Sequence, residues 1–405
     1  MEDDPLYCEK SDFLKELHIG LCVTGSIAAV DAVRICRELR RHGASVRAIM
    51  SDSAMDIIHP NSLEFATGKD VITRITGKVE HVLYAGESPC KFDILVICPC
   101  TRNSLSKIAG GISDTPPTLF AATALSHIPI LLFPAMHKTM HDSLDIMGVL
   151  SRLNDMGVTV YSEEANEGKI KVPGTGRIVH EIRKATSKRT LSGKRVLVSA
   201  GPTIEPIDDV RYITNKSTGK MGIALAEELE ARGASVKLVL GKTPEESLVS
   251  NTVRKETFGE MREEVLDGEE YDIYVLSMAA SDFTVKKHDG KISSNEGFSL
   301  DLSPNKKIIS ELRNKKNGFI VGFKAEHDIS EDELIKRARE SMSKSGADMV
   351  IANDVGKPMR GFAADTNEVY IVTGDDYVKK IPLSRKTAVA NSIANRIEES
   401  LSQGL

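Results

Sequence analysis

The chain has 405 residues, with 53 Lys and Arg against 58 Asp and Glu, a formal net charge of -5 and six cysteines. Such a length predicts two or three domains, each large enough for a full core. The acidic balance leaves no face-wide excess of cations to neutralise phosphates, which argues against a nucleic-acid partner.

The first twenty residues are acidic and interrupted, with neither a cationic start nor an apolar core, so they form a short amphipathic lead-in and no secretory signal. The longest apolar run, Ile128 to Met136, contains two prolines and is too short to span a bilayer. A cytosolic chain with no membrane partner is expected. All six cysteines (Cys8, Cys22, Cys36, Cys90, Cys98, Cys100) fall in the first hundred residues and are expected as free thiols. Cys98-Pro99-Cys100 lacks the second ligand pair of a zinc site, and no metal site built from protein side chains is expected.

From Ile19 the pattern is α/β: a strand over Ile19–Thr24, a helix from Ser26 to about Arg41, a strand over Ser45–Met50, and a second helix from Ser53. Strands over Ile94–Cys98 and Ile130–Phe133 follow, and their continuous apolar character marks a parallel sheet covered on both faces. These strands stop at Thr24-Gly25-Ser26, Ser51-Asp52, Pro99 to Asn103, and Pro134 to His137. In a parallel sheet those four ends share one edge, where ligands bind. No GxGxxG follows the first strand, so the dinucleotide fingerprint is missing. Small residues and hydroxyls instead suit a single phosphate and a flat ring system. Helix caps and turns account for any one end alone, and poorly for all of them together.

The basic, Ser-rich stretch from His180 to Arg195 reads as a helix end and linker, dividing the chain into domains 1–186 and 187–405. Strands are expected over Val196–Ser199, Val236–Leu240, Ile273–Ser277, Ile320–Phe323 and Met349–Ala352, giving a second doubly wound sheet, with a late strand over Val369–Thr373 and a hairpin at Gly374-Asp375-Asp376. The stretch Glu38-Leu39 to Gly43-Ala44-Ser45-Val46 recurs as Glu228-Leu229 to Gly233-Ala234-Ser235-Val236. Gly25 precedes Gly43 by 18 residues, whereas Gly201 precedes Gly233 by 32, so 14 extra residues fall between Gly201 and Asn215 as a long polar loop. Insertions of that size in a βα turn usually carry function. Gly219-Lys220 is no P-loop, because Thr214 stands at the position of its first glycine and Met221 at that of its hydroxyl.

In the first half, TGSIAA (Thr24–Ala29), Pro99-x-Thr101-x-Asn103 with Lys107 and Gly111 to Asp114, His81 in EHVLYA, and PAMHxxM (Pro134–Met140) together resemble the homo-oligomeric flavin-containing cysteine decarboxylases. The resemblance implies FMN, held by Gly25, Ser26, Ser51, Thr101, Arg102, Asn103, Ser113 and Asp114. It implies that a cysteinyl thiol passes electrons to the flavin, that the thioaldehyde releases carbon dioxide, and that the flavin returns the electrons. His81 is implied as the base and His137 as the group that anchors the substrate carboxylate. The family has Asn and Trp where this chain has His137 and His141, and a flap cysteine that should fall near Ile170, where this chain has none.

In the second half, GPTxEPIDxVRYITNxSxGKMG, the AxxDF segment at Asp282-Phe283, Lys291 in GKISS, SPNKKI (Ser303–Ile308), GFKAE (Gly322–Glu326) and IANDV (Ile351–Val355) resemble the phosphopantothenate-cysteine ligases. The order of the halves is similar to that of the bifunctional coenzyme A biosynthesis family. The resemblance implies CTP with Mg²⁺, an acyl-cytidylate, and amide formation from cysteine and 4′-phosphopantothenate. Asn215 and Lys291 are the implied catalytic residues, and Arg211 with Asn215 would bind the substrate. Nucleotide contacts are implied for Gly201, Leu276, Ser277, Met278, Asp282, Pro304, Asn305, Lys306, Phe323 and Lys344. Dimers of the ligase half and trimers or larger arrays of the flavin half are also implied. Two alternatives stay open: a working ligase beside a flavin domain without decarboxylation, and a flavodomain that regulates or inhibits another protein.

Overall fold

The computed structural model describes residues 4–86, 91–165, 168–293, 297–375 and 377–403, so Cys90, Glu167, Ser294 and Asp376 lie outside the described residues. The chain divides into two compact units, Met1–Ser187 and Lys188–Leu405.

The first unit runs β1 (His18–Val23), a 3₁₀ turn (Ile27–Asp31), α1 (Ala32–Arg41), β2 (Ser45–Met50), α2 (Asp52–Met55), α3 (Pro60–Thr67), α4 (Glu80–Ala85), β3 (Ile94–Cys100), α5 (Arg102–Gly110) and α6 (Pro116–Ala124). It continues with β4 (Ile130–Pro134), β5 (Met136–His137), α7 (Lys138–His141), α8 (Leu144–Asp155), β6 (Thr159–Val160), β7 (Glu163–Ala165), β8 (Lys169–Lys171) and α9 (Thr175–Thr186). Its main sheet has the order β2-β1-β3-β4-β6, all parallel. Side chains of β1 alternate between two cores: Leu21 and Val23 meet Ile35 of α1 and Ile178 of α9, while Cys22 meets Leu105 of α5 and Phe120 of α6. Burial on both faces explains the unbroken apolar strands.

Two expectations need correction here. The helix expected over 26–41 starts as the 3₁₀ turn, because the Ser26 hydroxyl accepts from the Ala28 N–H at 3.4 Å and tightens the first turn. The second helix is split at Pro60, which has no N–H to continue α2; it opens α3 instead, where the His59 ring caps Asn61 N–H at 3.2 Å. Residues 4–17, within the expected lead-in, form turns with Leu14 fully buried. Cys22, Cys36, Cys98 and Cys100 are buried free thiols and Cys8 is a half-buried one. Burial pushes the Cys36 and Cys100 thiols up to about 12, a protonated and unreactive state.

The second unit runs β9 (Arg195–Ala200), β10 (Ile204–Pro206), β11 (Tyr212–Thr214), α10 (Lys220–Ala231), β12 (Ser235–Leu240), β13 (Asn251–Arg254), α11 (Phe258–Leu266), β14 (Ile273–Leu276), β15 (Phe283–Val285) and β16 (Leu302–Pro304). Next come α12 (Ile308–Lys315), β17 (Phe319–Glu326), α13 (Glu331–Ser345), β18 (Met349–Asp354), β19 (Thr366–Thr373), β20 (Val378–Arg385) and α14 (Lys386–Ser402). The sheet order is β13-β12-β9-β14-β17-β18-β19-β20, parallel up to β18 and antiparallel beyond it. Val196 and Val198 of β9 pack with Leu229 of α10 and Ile393 of α14, and Leu197 packs with Met261 of α11 and Leu334 of α13 on the other face.

The inserted 14 residues are no loop. They fold as the β10–β11 hairpin, in which Ile204 pairs with Thr214 and Pro206 with Tyr212. At its tip the Asp208 carboxylate accepts from the N–H groups of Val210 (2.8 Å), Arg211 (2.6 Å) and Ile292 (3.1 Å). Burial alone would raise this carboxyl, but those N–H groups and the Arg211 guanidinium hold it below the usual aspartate range.

Candidate functional sites

In the first unit, β1 has β2 on one side and β3 on the other, so its carboxyl end marks the switch point of the sheet. The Thr24 hydroxyl joins the two strand ends there, donating to Pro99 C=O at 2.8 Å and accepting from Thr101 N–H at 2.9 Å. Gly25 is closed in: a Cβ on it would lie 2.4 Å from the Ser53 hydroxyl. Ser51 caps α2 through Ala54 N–H at 3.3 Å and faces Ser53 at 3.2 Å. Thr101 caps α5 through Ser104 N–H at 3.2 Å.

Arg102 pairs with Asp145 through one terminal nitrogen, and its Nε is buried without a partner. Such a cationic donor left open at the N-terminus of α5, among hydroxyls, suits an anionic flat group. Asn103 is exposed on α5, and Ser113 and Asp114 are exposed beyond its end, with Asp114 held by Lys107 at 2.6 Å.

His81 sits on the short α4; its Nδ1 is buried with no hydrogen-bond partner. Helix α4 packs on α6, and no hydrogen bond ties His81 to the sheet edge among the described residues. His137 lies on β5, opposite Lys169 of β8, and the neighbouring pair is Met136 with Ile170. Ile170, near which the resemblance would put a flap cysteine, is buried. His141 meets Asp142 at 3.1 Å.

The second unit has a cavity of about 690 Å³ at the carboxyl ends of β14 and β17. Asn215, Ser277, Met278, Asp282, Asn305, Lys306, Phe323 and Lys344 all line it. Seven cationic side chains (Lys220, Lys306, Lys307, Lys324, Arg337, Lys344, Lys386) and three carboxylates (Asp282, Glu326, Glu340) share its wall. The starts of α10 and α12 also open onto it. A cationic wall with two helix N-termini is chemistry for a polyphosphate.

Two glycines let α10 come this close. Gly219 has φ +79, and a Cβ on Gly222 would lie 2.1 Å from the Ser277 hydroxyl and 2.5 Å from Ala200 Cβ. Asn215, just past the hairpin, donates from Nδ2 to Ala279 C=O (3.0 Å) and Ala280 C=O (3.2 Å), which fixes its amide at the cavity mouth. Ser281 N–H donates to Thr203 Oγ1 at 2.9 Å, fastening the loop after β14 to the turn after β9. Asp282 pairs with Lys307.

Other expected residues stand off this wall. Leu276 ends β14, and Gly201 lies behind Gly219. Pro304 ends β16 as an exposed residue. Arg211 and Lys291 are carried on one clasp: Arg211 donates to Ile292 C=O at 2.6 Å and pairs with Asp208 at 3.2 Å, and Gly290 N–H donates to Asp209 at 3.1 Å. Lys220, Arg337, Asn367 and Lys386 line the cavity without having been foreseen. Lys220 alone had a visible signal, as the lysine after Gly219; the others depend on tertiary placement.

No group of three or more His, Cys, Asp or Glu side chains able to hold a metal occurs among the described residues. No described helix is long and apolar enough to cross a membrane.

Residues 191–401 match the DNA/pantothenate metabolism flavoprotein C-terminal domain family, and residues 8–187 match the Flavoprotein family. The chain is similar to the coenzyme A biosynthesis bifunctional protein CoaBC of Thermococcus kodakarensis, 46% identical over 98% of both chains. It is also similar to the protein of the same name from Methanocaldococcus jannaschii, 38% identical over 97% of this chain and 95% of that one. Among solved structures, a CoaBC C-terminal domain is 32% identical and covers 53% of this chain and 100% of its own, with a TM-score of 0.45.

Proposed function

This chain belongs to the family of coenzyme A biosynthesis bifunctional proteins, and from that membership we propose a division of labour. Residues 187–405 join cysteine to 4′-phosphopantothenate, and residues 1–186 decarboxylate the 4′-phosphopantothenoylcysteine so formed. The observation that supports the ligase half most is the cationic cavity with Asn215 fixed at its mouth.

The nucleotide is CTP, its triphosphate lying against the lysines and helix starts of the cavity and its base against Phe323 and the backbone at Leu276–Met278. Mg²⁺ enters with the nucleotide and neutralises part of its charge. A carboxylate oxygen of 4′-phosphopantothenate attacks the α-phosphorus, the bond to the pyrophosphate oxygen breaks, and Lys291 balances the charge on the departing group. The cysteine amine then attacks the acyl carbon and CMP leaves. Asn215 holds the acyl-cytidylate during that attack, and Arg211 binds the 4′-phosphate.

In the first half the residues fit FMN, through the open Nε of Arg102 and the hydroxyls of Ser26, Ser51 and Thr101. FMN, when bound, supplies the two-electron oxidation and its reversal. His81 takes the proton of the substrate thiol, and its ring is uncommitted at Nδ1. His137 donates to the substrate carboxylate, more strongly when charged. Ile170 and His137 favour one second reading, a working ligase beside a flavin half that does not decarboxylate. Exposed apolar side chains on both units, among them Ile27, Leu144 and Met147 in the first and Val210, Phe283 and Leu302 in the second, suit faces between copies in a homo-oligomer.

The test of the ligase chemistry is 4′-phosphopantothenate labelled with ¹⁸O in its carboxylate. Label recovered in CMP is the expected result. Label recovered in inorganic phosphate, or none in CMP while amide forms, contradicts an acyl-cytidylate.

A further inference from the structure

Lys386 opens α14 and is only 5% exposed, yet it lines the cavity of the second unit. Its Nζ donates to Gly361 C=O at 3.1 Å and Phe362 C=O at 3.2 Å. An ammonium has three donors. Two meet neutral carbonyls here, and no carboxylate comes within ion-pair distance of Lys386 among the described residues. The nearby Asp365 and Glu245 are shared with Lys220, at 2.6 Å and 3.7 Å. Burial first, and the charge of Lys220 second, bring Lys386 down to about 8.

The first turn of a helix is also the end where the macrodipole disfavours a cation. A methionine would fill this volume without the cost of a buried charge. Two further hydrogen bonds and a glycine turn gather the 361–365 segment and the starts of α10 and α14 at this end of the cavity. Thr218 Oγ1 donates to Phe362 C=O at 2.7 Å, Lys386 N–H donates to Asp365 C=O at 3.0 Å, and Gly361 takes φ +92. The result is two ammonium groups, Lys220 and Lys386, at one end of a cavity whose nearest carboxylates are shared with Lys220. What this corner lacks is an anion.

We propose that Lys386 holds an anionic group, phosphoryl or carboxylate, of the ligand in this cavity, giving it one N–H while the other two fix the Gly361–Phe362 turn. The proposal rests on the cavity being the ligase site. It adds a substrate-holding residue that none of the sequence motifs contains.

The test uses the full-length protein and inorganic pyrophosphate as the probe, titrated by calorimetry. Lys386→Gln keeps donors for the two carbonyls and removes the charge; Lys386→Arg keeps the charge. Wild type is expected to bind pyrophosphate, Lys386→Gln to bind it about tenfold or more weakly with an unchanged melting temperature, and Lys386→Arg to stay within a few-fold of wild type. Equal binding by wild type and Lys386→Gln overturns the proposal, as does a wild type that does not bind pyrophosphate. The wild-type protein gives a second measurement that needs no folded glutamine variant. With ¹⁵Nζ-lysine labelling, the Lys386 signal, assigned by its loss in Lys386→Arg, is expected to shift on adding pyrophosphate, and an unmoved signal overturns the proposal. Failure of the ligase reading would look different: pyrophosphate would bind through Lys386 while no 4′-phosphopantothenoylcysteine formed.

Discussion

The two units share a frame down to single residues and differ in what stands on it. Gly43 and Gly233 take φ +94 and +91 in corresponding turns, and the helices before them bury Glu38 and Glu228. Glu38 is held by Lys10 at 2.6 Å and Arg41 at 3.2 Å, and Glu228 by Arg232 at 2.7 Å. Each first strand has the second strand of its sheet on one side and a later strand on the other, β1 between β2 and β3 and β9 between β12 and β14, in the same switch-point arrangement.

At the strand ends the likeness stops. The first unit spends its hydroxyls on caps and leaves Arg102 Nε open; the second inserts a hairpin and places seven cations round one cavity. One scaffold therefore serves two chemistries because the βα turns, and not the sheet, decide which charges meet the ligand.

If the two halves work independently, silencing one should leave the other intact. His81→Asn is expected to lower decarboxylation of supplied 4′-phosphopantothenoylcysteine by about 10²–10⁴-fold, the range for losing a general base. Ligation, measured in the same preparation, should be unchanged. A loss in both activities would mean that the halves are not separable in this way.

Asn215→Ala is the reciprocal experiment. Ligation should fall by about 10²–10³-fold, as for the removal of one preorganised polar contact in the transition state. Decarboxylation should stay at the wild-type rate, and a matching loss there would refute the assignment.

A third substitution addresses packing. Gly222→Ala puts a methyl 2.1 Å from the Ser277 hydroxyl, and overpacking of this kind costs about 1–3 kcal/mol. Calorimetry should show the melting transition of the second unit lowered and that of the first unmoved.

The smallest effect is expected at the hairpin tip. Asp208 has its folded-state pKa held below the unfolded value, so its contribution is present above the ordinary aspartate range and is lost as pH falls through the folded value. Asp208→Asn should flatten the loss of stability on acidification. An unchanged acid limb in urea titrations would remove Asp208 from the clasp that carries Arg211 and Lys291.

Strands were legible because burial on both faces leaves only apolar residues, as in Ile94–Cys100 and Ile273–Leu276. The insertion was visible as a length difference between the two repeats. Its hairpin was not, since Pro202, Pro206 and the Asp208-Asp209 pair look like loop and the pairing is only three residues long. Pro60 was present to be read, and its break of the second helix follows from a missing N–H. Eight of the residues implied for the ligase reach one cavity, because motif residues at successive strand ends must converge there. Lys386 carried no local signal: a lysine at the start of a helix looks like surface until the Gly361 and Phe362 carbonyls take up its ammonium.

Both halves are expected to act in series, the product of the ligase serving as the substrate of the decarboxylase. Full-length protein mixed with 4′-phosphopantothenate, cysteine, CTP and Mg²⁺, followed by mass spectrometry, tests this most directly. 4′-Phosphopantetheine is expected to accumulate. If 4′-phosphopantothenoylcysteine accumulates alone, the ligase stands and the decarboxylase claim is contradicted.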